Sequence, residues 1–320
     1  MRVAAVDCGT NALKLLVTDL DAATGAQTDL VRELRMTRVG EGVDSVGRIT
    51  PAALRRTLAG CDDYAAAIDR LEVERLRCGA TSAARDAANG AELVAGMRAR
   101  FGVPIEVLSG EREAALSYAG VVHGLRRSGV TAAGPMPAGQ TLAEPMLVVD
   151  IGGGSTELIL GQGTQVRAAA SADVGAVRLT ERHLRDDPPT AAQRDAAVAD
   201  VDAALLTLPV RPADAGTLVG VSGTAVTVAA HALGLDTLDP DRLHGARISA
   251  DAVRDACAAL LAAPVAERLA LGVMHPGRAD VIGGGAIVLD RVLVAARAEE
   301  LVVSTCDVLD GMAWSLVAPA

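Results

Sequence analysis

The sequence predicts an α/β protein built from two similar halves, and three observations carry that expectation. The chain has 320 residues, more than one hydrophobic core usually organises. Strand-like and helix-like stretches alternate along it. One arrangement also occurs twice: an apolar strand ending in Asp, then a glycine turn, then a second strand. The copies are Val3-Ala-Ala-Val-Asp7 before Cys-Gly-Thr-Asn, and Leu147-Val-Val-Asp150 before Ile-Gly-Gly-Gly-Ser. Such a repeat implies duplicated architecture, with two halves facing a shared cleft.

Taken in order, Val3 to Val6, Leu13 to Thr18 and Leu30 to Val39 read as strands, the first two joined by the tight Gly9-Thr10-Asn11 turn. Thr50-Pro51 opens a helix with Leu54, Leu58, Cys61 and Ala65 on one face. Arg75 to Gly79 is a strand, Glu92 to Phe101 a helix and Ile105 to Leu108 a short strand. Ser109 is placed to cap a helix from Gly110 to about Val122. Ser128 to Pro145, rich in Gly, Pro, Ala and Thr without periodicity, is the expected linker. Strands then recur at Met146 to Val149, Thr156 to Gly161 and Gln165 to Ala170. Helical patterns follow at 175–186 and 191–207, a strand at 217–221, and helices at 224–233 and 250–262. Arg278 to Ala296 is a long apolar segment, Leu301 to Ser304 a buried strand, and Val308 to Val317 a closing helix. The expected domains are 1–124, with 306–320 packing back on it, and 125–305.

Half of the residues are apolar, but the aromatic ones are only Tyr64, Phe101, Tyr118 and Trp314. The cores must therefore be filled by Ala, Val and Leu. No apolar run reaches the length of a membrane span and no leader pattern is present, so a cytoplasmic protein without a membrane partner is expected. Cys8, Cys61, Cys78, Cys257 and Cys306 are scattered and odd in number, which argues against a disulfide framework or a structural zinc site. A net charge of −10 speaks against nucleic-acid binding. Lys14 is the only lysine and lies outside any GxxxxGK[ST] context, which excludes a P-loop hydrolase.

Glycine turns let backbone N–H groups converge on phosphate oxygens. Gly9, Thr10 and Asn11 offer this in the first copy, and Gly152, Gly153, Gly154 and Ser155 in the second. An acid beside a phosphate cradle repels the ligand unless a cation lies between them. Asp7 and Asp150 therefore imply Mg²⁺ or another divalent cation, and Glu157 brings a further carboxylate back along the returning strand.

The segments DCGTN, GATSAARDAAN, SGEREA, VVDIGGGSTELILG and VSGTAVTVAA occur in this order. They closely resemble the signature segments of the exopolyphosphatase / guanosine pentaphosphate phosphatase (Ppx/GppA) family. HPGRADVI and DVLDG extend the resemblance more weakly toward the C-terminus. That resemblance implies two actin-like (ribonuclease H-like) domains of the actin, sugar kinase and heat-shock ATPase superfamily. It implies Glu113 as the general base, Asp150 and Glu157 as holders of a divalent metal, and Gly9, Thr10, Asn11, Gly153, Gly154 and Ser155 as phosphate binders. Arg85 would pair with phosphoryl oxygens, and Gly223 and Thr224 match a third loop of the superfamily.

Other residues keep two readings. Arg178 is either a phosphate partner or structural, His183 reads as a helix-surface residue, and Gly283-Gly-Gly285 as close packing rather than a loop. Ala12 stands where the family usually has Ser, and Thr305-Cys306 where relatives often have Glu and His. Longer relatives append a helical domain after the point where this sequence stops, so a preference for short polyphosphates is expected. The function expected is an exopolyphosphatase. A guanosine pentaphosphate phosphohydrolase is the alternative, and an actin-like kinase or nucleotide-binding protein the alternative of another class. A homodimer is expected by analogy alone.

Overall fold

The computed structural model describes residues 1–129 and 142–317, so most of the expected linker lies outside the described residues. The chain divides into two compact units, Met1–His123 together with the segment from Val308, and Gly124–Asp307.

In the first unit, β1 (Arg2–Cys8), β2 (Ala12–Asp21) and β3 (Ala26–Met36) form an antiparallel meander. Next, β4 (Arg75–Ala80) pairs parallel to β1 and β5 (Ile105–Val107) parallel to β4, giving the order β3-β2-β1-β4-β5. Parallel pairing needs crossovers, and the helices Pro51–Arg70 and Gly90–Phe101 supply them. Thr50 caps the first of these by accepting the Ala53 N–H at 3.1 Å. The sheet is covered on both faces, which is why β1 reads as a continuous apolar run. Ala4, Val6 and Cys8 pack with Cys61, Tyr64, Leu93 and Met97 on one face. Val3, Ala5, Leu16 and Leu20 pack with Leu309, Met312 and Ala313 of the helix Val308–Trp314 on the other. Burying each such Leu or Val contributes about 1.5–3 kcal/mol. That helix sits so close that a Cβ on Gly311 would overlap the Leu116 carbonyl. It is also anchored by polar contacts: Arg32 Nη2 reaches the buried Asp310 Oδ1 at 2.6 Å, and Trp314 Nε1 donates to Gln27 Oε1 at 2.9 Å.

The second unit repeats the plan. Its meander is β6 (Met146–Ile151), β7 (Thr156–Gln162) and β8 (Gln165–Ala172). Then β9 (Thr217–Val221) pairs parallel to β6, and β11 (Glu300–Val303) parallel to β9, while β10 (Arg247–Ser249) adds an antiparallel edge. The order β10-β11-β9-β6-β7-β8 contains the order of the first sheet plus that one strand. The fold is thus α/β with two mixed sheets of related strand order. Its core joins Leu147, Val149, Leu158 and Leu160 to the helices Ala250–Ala262 and Ile282–Ala296. The last is apolar and buried from Ile282 to Leu289, while Asp290 and Arg291 beyond it pair with Arg254 and Asp202. Among the described residues, no helix is long and apolar enough to cross a membrane. All five cysteines are buried free thiols, and burial raises the Cys61 thiol to about 12.

Candidate functional site

β1 delivers Asp7 to its C-terminal end, and Gly9-Thr10-Asn11 turns the chain into β2, closed by a Gly9 N–H to Ala12 carbonyl bond of 3.0 Å. The segment after β3 straps this turn. Gly40 N–H donates to the Thr10 carbonyl at 2.8 Å, and the Thr37 and Arg38 amides donate to the Asn11 carbonyl at 3.1 and 2.9 Å. The C=O and N–H of a trans peptide point in opposite directions, so fixing the Thr10 carbonyl turns the Asn11 amide away from the strap. A Cβ on Gly40 would overlap the Thr10 methyl. The Thr10 hydroxyl lies 2.6 Å from that of Ser82, tying the turn to the short helix Ser82–Asp86 that carries Arg85.

Asp7 and Lys14 are cross-strand partners on β1 and β2, with Lys14 Nζ 3.6 Å from the buried Asp7 Oδ2. A lysine ammonium thus lies beside Asp7, a charge that the sequence reading did not place there.

Arg85 and Glu113 also meet. Arg85 Nη1 donates to Glu113 Oε2 at 3.0 Å and to the Leu108 carbonyl at 2.5 Å. Glu113 lies in the first turn of the helix Gly110–Arg127, where carboxylates oppose the helix dipole favourably. Ser109 caps that helix as expected, accepting the Arg112 N–H at 3.2 Å. Glu113 is only 9% exposed, so its carboxylate is held by the guanidinium rather than dispersed in water.

In the second unit the Gly152–Ser155 turn is built the same way, with Gly152 N–H bonded to the Ser155 carbonyl at 3.0 Å. The helix Ala176–His183 holds it from behind. Ala176 N–H donates to the Gly152 carbonyl (3.0 Å), and Val177 and Arg178 N–H to that of Gly153 (2.8 and 3.1 Å). Arg178 Nε donates to the Gly154 carbonyl at 2.7 Å. Three consecutive carbonyls face the helix, so the amides of Gly153, Gly154 and Ser155 face the other way, forming an anion nest. None of those three amides meets a protein acceptor among the described residues. Gly175 must be glycine, because a Cβ there would lie 2.7 Å from the Gly153 carbonyl oxygen.

Beside the nest, Asp150 on β6 pairs in register with Glu157 on β7, and Glu157 with Ser171 on β8. Directly opposed residues share a face. Asp150 is 6% exposed and Glu157 1%, and the Ser171 hydroxyl donates to Glu157 Oε1 at 2.7 Å. Two buried carboxylates at adjacent positions repel unless a cation or a proton intervenes. This donor set fits a divalent cation that completes its shell with water and substrate oxygens, as Mg²⁺ does. Among the described residues, no group of three or more His, Cys, Asp and Glu is placed to cage a metal.

The third loop joins β9 to the helix Ser222–Ala232. Ser222 takes a left-handed backbone, φ 63°, and its hydroxyl donates to Asp307 Oδ2 at 3.3 Å. Gly223 leaves room for Arg278, whose guanidinium a Cβ would overlap; Arg278 Nη1 donates to Thr227 Oγ1 at 2.9 Å. Burial lowers the Arg278 guanidinium to about 10, so it stays charged at neutral pH while short of solvation, a disposition that favours an anion nearby. Thr224 is buried with its side chain against the helix Ile282–Ala296; a Cβ on Gly285 would approach its hydroxyl to 2.6 Å. Gly283–Gly285 is therefore helix packing and not a phosphate loop. His183 Nε2 lies within hydrogen-bond distance of Asp200 Oδ2, at 2.9 Å.

The structure thus gathers Gly9, Thr10, Asn11, Arg85 and Glu113 in the first unit, and Asp150, Gly153, Gly154, Ser155 and Glu157 in the second, where Gly223 and Thr224 open their own loop. Sequence reasoning missed Lys14, Ser82, Ser171 and Arg278. Counting register from the two turns would have found Lys14, and pairing β7 with β8 would have found Ser171.

The profile of the Ppx/GppA phosphatase family matches residues 17–319. The chain belongs to that family. It is 41% identical to Exopolyphosphatase 2 of Mycobacterium tuberculosis, across 98% of each chain. It is 33% identical to the guanosine-5'-triphosphate,3'-diphosphate pyrophosphatase of Vibrio cholerae, across 59% of this chain and 34% of that protein. Among solved structures, an exopolyphosphatase-like protein superposes with a TM-score of 0.88 at 37% identity, covering 99% of this chain and 98% of that one.

Proposed function

We propose that the chain is an exopolyphosphatase, hydrolysing the terminal phosphoryl group of inorganic polyphosphate to orthophosphate. The observation that carries this reading is the Gly153–Ser155 amide nest beside Asp150 and Glu157, since phosphate oxygens and a divalent cation need those two features side by side. Gly9, Thr10, Asn11, Gly153, Gly154 and Ser155 bind phosphate groups through their amides, and Gly223 and Thr224 present a helix start to further oxygens. Asp150 and Glu157 hold Mg²⁺ or another divalent cation, which when bound neutralises phosphate charge.

Glu113 takes a proton from the water that attacks the terminal phosphorus. The bond from that phosphorus to the bridging oxygen breaks, and the shortened chain keeps the bridging oxygen. Arg85 orients Glu113 through one nitrogen and keeps other N–H groups for phosphoryl oxygens. Phosphoryl transfer depends mainly on alignment and charge neutralisation, and the base supplies about 10²–10⁴-fold.

Polyphosphate is preferred as substrate because the relative named for it matches along its whole length. Guanosine pentaphosphate is the second reading, favoured by the partial match to the Vibrio protein. Phosphate release from polyphosphate, guanosine pentaphosphate and ATP separates them. Fastest release from polyphosphate is expected. Faster release from the guanosine nucleotide selects the second reading, and no release from any of the three rejects both.

A further inference from the structure

We infer that the second unit carries another ligand site, at the end of its sheet opposite the glycine turns, that takes a zwitterion of the α-amino acid class. The strand β9 runs from Thr217 toward the Ser222–Thr224 loop, and around its first residues lies a cavity of about 560 Å³. That size suits a small organic ligand. Gly216 and Thr217, Arg247 of β10, and Arg297, Glu299 and Glu300 after the helix Ile282–Ala296 contribute to its wall.

The charges decide the ligand. Arg247 and Glu300 satisfy each other, with Nε 3.1 Å from Oε2 and a second contact from Nη2 to Oε1. Arg297 and Glu299 remain, and neither side chain pairs with another described residue. Arg297 also stands where the helix ends in a left-handed residue, φ 51°, a position that the chain fills with glycine at Gly47 and Gly102. Glycine or Asn is the ordinary choice there, and an L side chain is disfavoured. An arginine kept in that conformation beside a cavity points to use of its guanidinium.

The cavity therefore offers a guanidinium fork for a carboxylate. It also offers Glu299, with the negative end of a helix dipole, for an ammonium group. A simple anion would meet Glu299 and the helix carbonyls, and a simple cation would meet Arg297. An α-amino acid carries both charges one carbon apart.

The test is thermal unfolding of the whole protein with each proteinogenic α-amino acid, beside acetate, methylammonium and inorganic phosphate. At least one amino acid is expected to raise Tm while the singly charged probes and phosphate do not. Arg297→Gly, which relieves the left-handed strain, is expected to melt at or above wild type without ligand and to lose the amino-acid shift. Glu299→Gln should weaken binding at least tenfold. No shift with any amino acid, a shift that survives both substitutions, or a shift with acetate or phosphate alone overturns the proposal.

Discussion

Asp150 and Glu157 stand opposite each other across β6 and β7 in the register position that Asp7 and Lys14 occupy across β1 and β2. Both pairs are separated by seven positions and straddle a glycine turn closed by the same 3.0 Å bond. The duplication kept the scaffold and reversed one charge. Where Lys14 lies beside Asp7, Glu157 sets a second carboxylate opposite Asp150, and this is why the proposed cation is assigned to the second unit.

Glu157→Lys copies the first unit into the second. The variant is expected to fold with a Tm near wild type, because Lys then pairs with Asp150, and to lose divalent-cation-dependent phosphate release. Ser171→Ala is the milder probe: removing the 2.7 Å bond to Glu157 should weaken apparent Mg²⁺ affinity about 10–100-fold. Its rate at saturating metal should stay near wild type. A Mg²⁺ titration of both variants checks the pair, and unchanged metal dependence in Glu157→Lys counts against it.

Gly223→Ala should cost about 1–3 kcal/mol through overpacking against the Arg278 guanidinium, and should raise KM for the phosphate substrate. If the clash is the cause, the two substitutions should couple, so that Gly223→Ala costs about 0.5–3 kcal/mol less in an Arg278→Ala background, the range for residues in contact. Urea unfolding of the four proteins closes the cycle. Equal costs in both backgrounds would mean that Arg278 is not what Gly223 accommodates.

His275 predicts a pH effect. Its Nδ1 accepts the Gly277 N–H at 3.1 Å, which requires the neutral ring, and burial followed by the Arg278 charge lowers its pKa from the ordinary 6.5. The unfolded state then binds the proton more readily, so stability is fully present above pH 6.5 and falls as the solution is acidified through that range. His275→Asn retains an acceptor without a titration. Its stability should decline less than that of wild type between pH 7 and about 5, measured as the urea midpoint.

The meanders and their turns were legible because buried strands leave apolar runs and glycine turns punctuate them. The helices Ala191–Thr207 and Ala250–Ala262 lie where their apolar period placed them, and the structure adds Thr190 and Ser249 as their caps. The third strand was read too late along the chain. It begins at Ala26 and ends at Met36, held at an exposed edge by pairing with β2 rather than by burial. Three-residue β10 and the five-residue helix bearing Arg85 were too short to show a period. Gly283–Gly285 was ambiguous for a physical reason: a loop at a phosphate and a helix in close contact both call for residues without side chains. Arg278 lies 55 positions from Gly223 in sequence, and only tertiary packing brings them together.

The base at Glu113 is the claim on which the chemistry turns, and its amide isostere tests it with the least disturbance. Glu113→Gln keeps the side-chain shape beside Arg85 but cannot accept a proton from water. Orthophosphate release from polyphosphate should fall about 10²–10⁴-fold in kcat, while the variant still binds polyphosphate within a few-fold of wild type. A Glu113→Gln enzyme that releases phosphate at near wild-type kcat would contradict the account.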